Sequence, residues 1–244
     1  MTSDQPEQGG DLRPMDQKVV EDGIVLLRSG QLDNEKLVKF YWLISSSTLY
    51  SLADSTGSPE SIPLLPDEKD QDTVVPIFTS RKRAEEWAKN YKHPYSSIRV
   101  PMPSVLFRVG EEASIVINPA DDQIHLYMEP KTMTSCRDLY FKNFPVSEGG
   151  YYLVMSGSGM AMTKLLKKDD NGFHLRYYDG SYPLDIKEFP TLEEVQALPV
   201  KIGHCPVSNG TFMSHSPIFV AEGTSSEEEL QGYNTWSESQ GGYF

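Results

Sequence analysis

With 244 residues, 38% of them apolar and 11% aromatic, the chain has enough core-forming side chains for one large domain or two smaller ones. Global disorder is excluded despite a mean hydropathy of −0.44. The 35 Asp and Glu against 22 Lys and Arg give a net charge of −13, which disfavours both nucleic acid and anionic membrane surfaces as partners.

The polar stretch 1–12 holds Asp4, Glu7 and Asp11 without a base and is expected to be disordered. It has no apolar h-region, and no run in the chain is long enough to span a bilayer. With only two cysteines, Cys136 and Cys205, the expected setting is the reducing cytoplasm, and no cofactor is expected. After Lys201 there is no base, while Glu222, Glu227, Glu228, Glu229 and Glu238 add acids. Acidic ends either keep the chain soluble or dock to a basic partner.

Over 16–27, Val19, Val20, Ile24 and Leu27 fall at helical spacing, and Ser29-Gly30 supplies a stop. Asp33 can cap a short second helix at 36–40, with Leu37 and Phe40 on one side. Residues 40–52 mix aromatics with Ile, Leu, Ser and Thr and read as one broken strand or two short ones. The acidic stretch 54–72, with Gly57, Pro59, Pro63 and Pro66, reads as a loop. An apolar strand at 73–78 then leads to Thr79 or Ser80, either of which can cap a helix through 91 with Ala84, Trp87 and Ala88 inward.

Residues 98–102 form a short strand broken by Pro101 and Pro103, and 105–109 fit a helical turn or another strand. A strand at 113–117, after a polar turn at Glu111-Glu112, stops at Asn118-Pro119, because proline cannot donate to a ladder. Asp121-Asp122 turns the chain into a strand at 124–128. Pro130, Pro145 and Gly149-Gly150 then punctuate an expected boundary, although 139–144 could be a packed helix end.

Beyond it lies a β-meander with strands at 151–155, 160–166 and 173–178. Its turns are expected at Ser156-Gly157-Ser158-Gly159, Asp169-Asp170-Asn171-Gly172 and Asp179-Gly180. Thr191 and Glu194 make a capping box for a helix at 192–198, closed by Pro199. Two further strands are expected at 200–203 and 212–220. The fold class is therefore α+β. Residues 13–130 would form a domain with a mixed or antiparallel sheet and short helices. Residues 131–221 would add a second, β-meander-rich α+β domain or extension, and 222–244 an acidic, flexible tail.

Catalytic, cofactor-binding and metal-binding residues are not assigned. Gly157 and Gly159 lack the third glycine and following helix of a dinucleotide fingerprint. His204-Cys205 with His215 offers metal-ligating atom types, but at an awkward spacing and without a fourth ligand. Arg137 beside Cys136 could lower a thiol pKa. The pairs Asp121/Asp122 and Asp169/Asp170 sit among turn residues, and Glu227-Glu228-Glu229 reads as a solvated run.

The run Val75-Pro76-Ile77-Phe78-Thr79-Ser80, followed by Ala84 and Trp87 and later by Ile115-Val116-Ile117-Asn118-Pro119, resembles the N-terminal domain of the SseB-like family. The likeness covers about residues 16–128; the second half is left unassigned. The resemblance implies a compact α+β unit without an agreed catalytic mechanism. Related small acidic α+β proteins of bacteria often act as binders, including immunity proteins against polymorphic toxins. The expected function is thus a non-enzymatic protein-binding module, in its most concrete form an immunity protein neutralising a basic toxin. The alternatives are a secretion-associated regulator or chaperone and an enzyme of unrecognised type. Aromatics available to hold a basic protein partner are Tyr41, Trp42, Tyr151, Tyr152, Tyr177, Tyr178, Tyr182 and Trp236.

Overall fold

The computed structural model describes residues 17–54, 62–66, 73–91, 93–109, 113–157, 159–183, 186, 188–239 and 241–244. The stretch expected to be disordered, most of the acidic loop and the turn at Glu111-Glu112 lie outside these residues. The chain divides into two compact units, Met15–Phe144 and one holding Pro145–Phe244.

In the first unit, α1 (Gln17–Arg28) buries Val20 and Ile24 and gives way at Gly30, whose φ of 68° is a conformation glycine adopts freely. Asp33 caps α2 (Asn34–Ser45), its carboxylate accepting from the Lys36 N–H at 2.9 Å. This helix runs through the first part of the stretch expected to be strand. Phe40 and Ile44, four residues apart, both bury on one face, and that burial overrides the β-propensity of the aromatic run. The hydroxyls of Ser45, Ser46 and Ser47 then donate back to the carbonyls of Tyr41, Trp42 and Ile44 as the helix ends.

The strands β1 (Thr48–Ala53), β2 (Leu65–Pro66), β3 (Thr73–Phe78), β4 (Ser96–Pro101), β5 (Ser114–Ile117) and β6 (Leu126–Met128) form one sheet. Its order is β4-β1-β3-β5-β6, with β2 also on β3. Among the described residues only β3 and β5 pair in parallel, so the sheet is mixed. Pro76 is tolerated inside β3 because β1 pairs at Ile77 and Phe78 while β2 pairs at Thr73 and Val74. The missing N–H faces the gap between them, where the Ser51 hydroxyl takes the Pro76 carbonyl at 2.8 Å.

On one sheet face Leu49, Val75, Ile77, Ile115 and Ile117 pack with the buried residues of α1, α2, α4 (Met102–Arg108) and α5 (Pro130–Asn143). On the other, Leu52, Leu65 and Phe78 meet Ala84 of α3 (Arg81–Ala88), capped by Ser80. The open choice at 105–109 resolves to helix α4. Residues 131–144, expected in the second domain, belong to the first unit, since Met133 and Cys136 of α5 lie in its core.

The second unit is an antiparallel sheet of β7 (Tyr151–Ser156), β8 (Gly159–Lys168), β9 (Gly172–Tyr182), β10 (Val200–Ser208) and β11 (Ile218–Ala221), in the order β10-β9-β8-β7-β11. The β7–β8 hairpin closes between Ser156 and Gly159, with Gly157 at φ 57°. Asp179-Gly180 does not end a strand as expected. β9 continues to Tyr182, and its pairing with β8 jumps from Ser181 to Tyr177, so these residues form a bulge.

Thr191 and Glu194 close the capping box of α6 (Leu192–Gln196). The expected strand at 212–220 is instead α7 (Asn209–Ser214), capped by Ser208, followed by β11. Phe212 explains the helix: it packs on Phe173 and Tyr152 at ring distances of 4.5 and 5.8 Å. The expected flexible tail is α8 (Glu227–Glu238), with a full capping box between Ser226 and Glu229.

Candidate functional site

Side by side and parallel, β3 and β5 place their carboxyl ends together, with Ile77 opposite Ile117. The residues that follow, Thr79 and Asn118, are both buried. Asn118 adopts a left-handed φ of 52°. Its Oδ1 accepts from the Thr79 N–H at 3.0 Å, and its Nδ2 donates to the Ile124 carbonyl at 3.4 Å. The Thr79 hydroxyl donates to Glu21 at 2.5 Å, and Arg83 bridges Glu21 at 3.4 Å and Asp121 at 2.7 Å. Burial acts to raise the Asp121 carboxyl, but the N–H groups of Gln123 and Ile124 and the Arg83 guanidinium outweigh it and hold it below the usual range.

This knot ties α1, β3, α3 and the β5–β6 turn together beside a cavity of about 210 Å³ lined by Phe78, Arg83, Trp87 and Asn118. These residues fall within the span of a family comparison: residues 24–130 match the model for the SseB protein N-terminal domain. This segment is similar to an SseB N-terminal domain. No curated protein and no solved structure matches the chain.

In the SseB-like domain Trp87 lies against Phe78 and Tyr91, with ring centroids 5.5 and 4.6 Å away. Between α3 and β4 runs an open groove of about 590 Å³ lined by Arg81, Glu85, Lys89, Tyr91, Tyr95 and Ser97. The Cys136 thiol is not activated. Burial pushes it up against a hydrogen bond with Ser45, and Arg137 is spent elsewhere, donating to the carbonyls of Leu106 and Val109.

The aromatics singled out in the sequence are divided between the two units. Tyr41 and Trp42 are half-buried in the SseB-like domain, Tyr41 against the core and Trp42 stacked on Tyr140 at 5.7 Å. Tyr151, Tyr152 and Tyr178 are core residues, which corrects their assignment as partner contacts. Strand alternation sends Tyr152 to one face and Tyr151 to the other, and both faces are covered. The Tyr152 hydroxyl accepts from the Ser147 N–H at 2.8 Å and donates to the Pro145 carbonyl at 3.2 Å. Tyr177 is half-buried, its phenol pushed up to about 12 by burial and by Cys205 nearby. Tyr182 is half-buried on the core around Tyr178.

Trp236 joins a cluster that the sequence reading missed. His174, with no exposed surface, lies 3.0 Å from His204 and 2.9 Å from Asp169, ring nitrogen to ring nitrogen and to carboxylate. Trp236 and Tyr233 meet the His174 ring edge-on at 4.4 and 4.7 Å, and the Tyr243 hydroxyl donates to Asp169. His204 therefore faces His174, whereas His215 bonds the Thr211 carbonyl, so the His204–Cys205–His215 set is not assembled.

On the same face of β8 and β9 the buried Lys164 reaches Glu229 at 2.8 Å, and Arg176 reaches it at 3.0 Å. Glu229 is thus an internal counter-ion rather than part of a solvated run. The signal was present in the sequence, because Ser226-x-x-Glu229 is the same pattern that marks Thr191 and Glu194.

Helix α8 lies close against β10 at Gly232, where a Cβ would stand 2.6 Å from the Cβ of His204. Gly232→Ala should therefore loosen α8, even though alanine raises helix propensity by about 1 kcal/mol. Faster amide exchange throughout 227–238 is the expected readout.

One edge of the second sheet is half covered. β10 is an outer strand paired with β9. On its other side Phe244 pairs with the strand: its N–H donates to the Pro206 carbonyl at 3.1 Å, and its carbonyl accepts from Ser208 at 2.9 Å. Among the described residues no strand pairs with the outer side at 200–203. There Val200 and Ile202 are 47% and 43% exposed. Phe189 and Leu192 are exposed just upstream, interspersed with the exposed Glu188, Glu193 and Glu194.

Proposed function

We propose that the chain is a non-enzymatic protein-binding module that uses the outer edge of β10 to hold a basic protein, in its most concrete form a toxin that it neutralises as an immunity protein. The observation that carries this reading is the open strand at 200–203, with Val200 and Ile202 exposed on it and carboxylates in the segment leading to it. An unpaired strand edge offers backbone N–H and C=O groups for strand addition, the apolar side chains offer anchors, and the acidic surround steers a cationic partner. The free thiols of Cys136 and Cys205 are consistent with a cytoplasmic setting.

The test is calorimetric titration with the purified product of the neighbouring gene, at low and high salt. Binding should weaken with salt and fall about 100-fold in the Val200→Asp/Ile202→Asp double variant, the loss of two apolar anchors. Equal affinity of the variant would overturn the site, and the absence of any heat would remove the partner class. The same open edge also favours the secretion-chaperone alternative. A chaperone would take extended apolar peptides with little salt dependence, so the two readings separate in one experiment.

A further inference from the structure

The C-terminal segment closes over a contact with a limited capacity for protons. Asp169 is an acceptor to His174 Nε2, so that nitrogen carries a hydrogen, and His174 Nδ1 and His204 Nε2 then share one hydrogen across 3.0 Å. With both rings neutral, His204 Nε2–H donates it to His174 Nδ1, and one added proton can be held without breaking that bond. A second proton would set N–H against N–H and two cations at that distance, with His174 wholly buried and the two rings nearly parallel at 5°. Tyr233, Trp236 and Tyr243 all rest on the His174 ring, so their seat depends on this pair.

We propose that His174 and His204 form an acid-operated catch: at neutral pH it holds 227–239 and 241–244 against β9 and β10, and entry of a second proton into the pair releases it.

The other groups around the pair do not titrate in the window concerned. Burial acts to raise the Asp169 carboxyl, but His174, Tyr243 and the N–H groups of Asn171 and Gly172 bring it down to about 2. Glu229, on α8 with Lys164 and Arg176, is held below its ordinary value as those partners outweigh burial. Tyr243 is raised by burial and by Asp169, with Asp170 and Tyr233 adding to it; Lys167, facing Tyr233, is raised by Glu148.

Burial, with His174 second, lowers His204, so its neutral form is favoured in the closed state. The grip is complete above the ordinary imidazole value of about 6.5 and weakens as the pH falls below it and a second proton is forced onto the pair. Release also frees Phe244 from Pro206 and Ser208 and opens the remainder of the β10 edge. That consequence rests on the docking reading above; the catch itself does not.

Hydrogen exchange, corrected for intrinsic rate, tests the catch in the full chain at pH 7.5, 6.0 and 5.0. Protection over 227–238 should fall by about tenfold or more at pH 5.0, while 151–166 keeps its protection. In His204→Gln the amide can turn either its N–H or its oxygen to His174, so the acid loss should vanish. Unchanged protection in the wild-type chain, or an equal acid loss in His204→Gln, overturns the proposal.

Imidazole NMR titration of the wild-type chain provides a second readout that does not depend on the variant folding. The second proton should enter as the Trp236 indole signal shifts. Independent titration of the two rings with a static Trp236 signal would also overturn the catch. No partner takes part, so failure here leaves the docking reading untouched.

Discussion

Asn118→Ala is expected to destabilise the SseB-like domain by about 3 kcal/mol, lowering its melting temperature by roughly 10 °C. Two effects add. Alanine at a left-handed φ of 52° costs about 1 kcal/mol that asparagine largely avoids. The Thr79 N–H, whose acceptor is the Asn118 side chain, would be left buried without a partner, at about 1–3 kcal/mol. Asn118→Gly separates them, because glycine removes the backbone cost but not the orphaned donor. The glycine variant should therefore recover about a third of the loss in a denaturant melt. If it were as stable as wild type, the carbonyl oxygen of Asn118 would not be the cap described.

Glu229→Ala is expected to cost about 3–5 kcal/mol of the docking of α8, because Lys164 and Arg176 lose their shared carboxylate on a covered sheet face. The side chain of Lys164 is 4% exposed, so an unpaired ammonium cannot stay where it is. Undocking of α8, which itself buries no residue completely, is the least costly relief. Loss of exchange protection over 227–238, with β7 and β8 still protected, is the expected pattern. Lys164→Met with Glu229→Gln should restore part of the docking, since an apolar side chain needs no counter-ion and the Gln oxygen can still accept from Arg176. Cooperative unfolding of the whole unit in Glu229→Ala would show instead that α8 is integral to its core.

The legibility of the two units differs. In the SseB-like domain the junction at β3, the Ser80 cap and the Asn118-Pro119 stop are visible in the sequence, because each is a local interaction between residues a few positions apart. The extension of α2 through Phe40 to Ser45 was not, since that stretch has strand propensity and becomes helical only when Phe40 and Ile44 find the core. In the second unit the meander hairpins could be read from their turn residues, while the α7 helix at 209–214 could not, because Phe212 is held by Phe173 and Tyr152. Aromatic type alone did not separate surface from core: Tyr151, Tyr152 and Tyr178 stand in strands covered on both faces.

By itself, the sequence determined what depends on neighbours along the chain: the α+β class, most strand and helix positions, the capping boxes and the SseB resemblance. Which charges face solvent, and which close an ion pair, depends on strand register and helix docking, which bring residues 30 or more positions apart into contact. Lys164 meeting Glu229, His174 meeting His204 and the half-covered edge of β10 were decided there. Local propensity carries no information about such distant pairs; packing the sheet selects them.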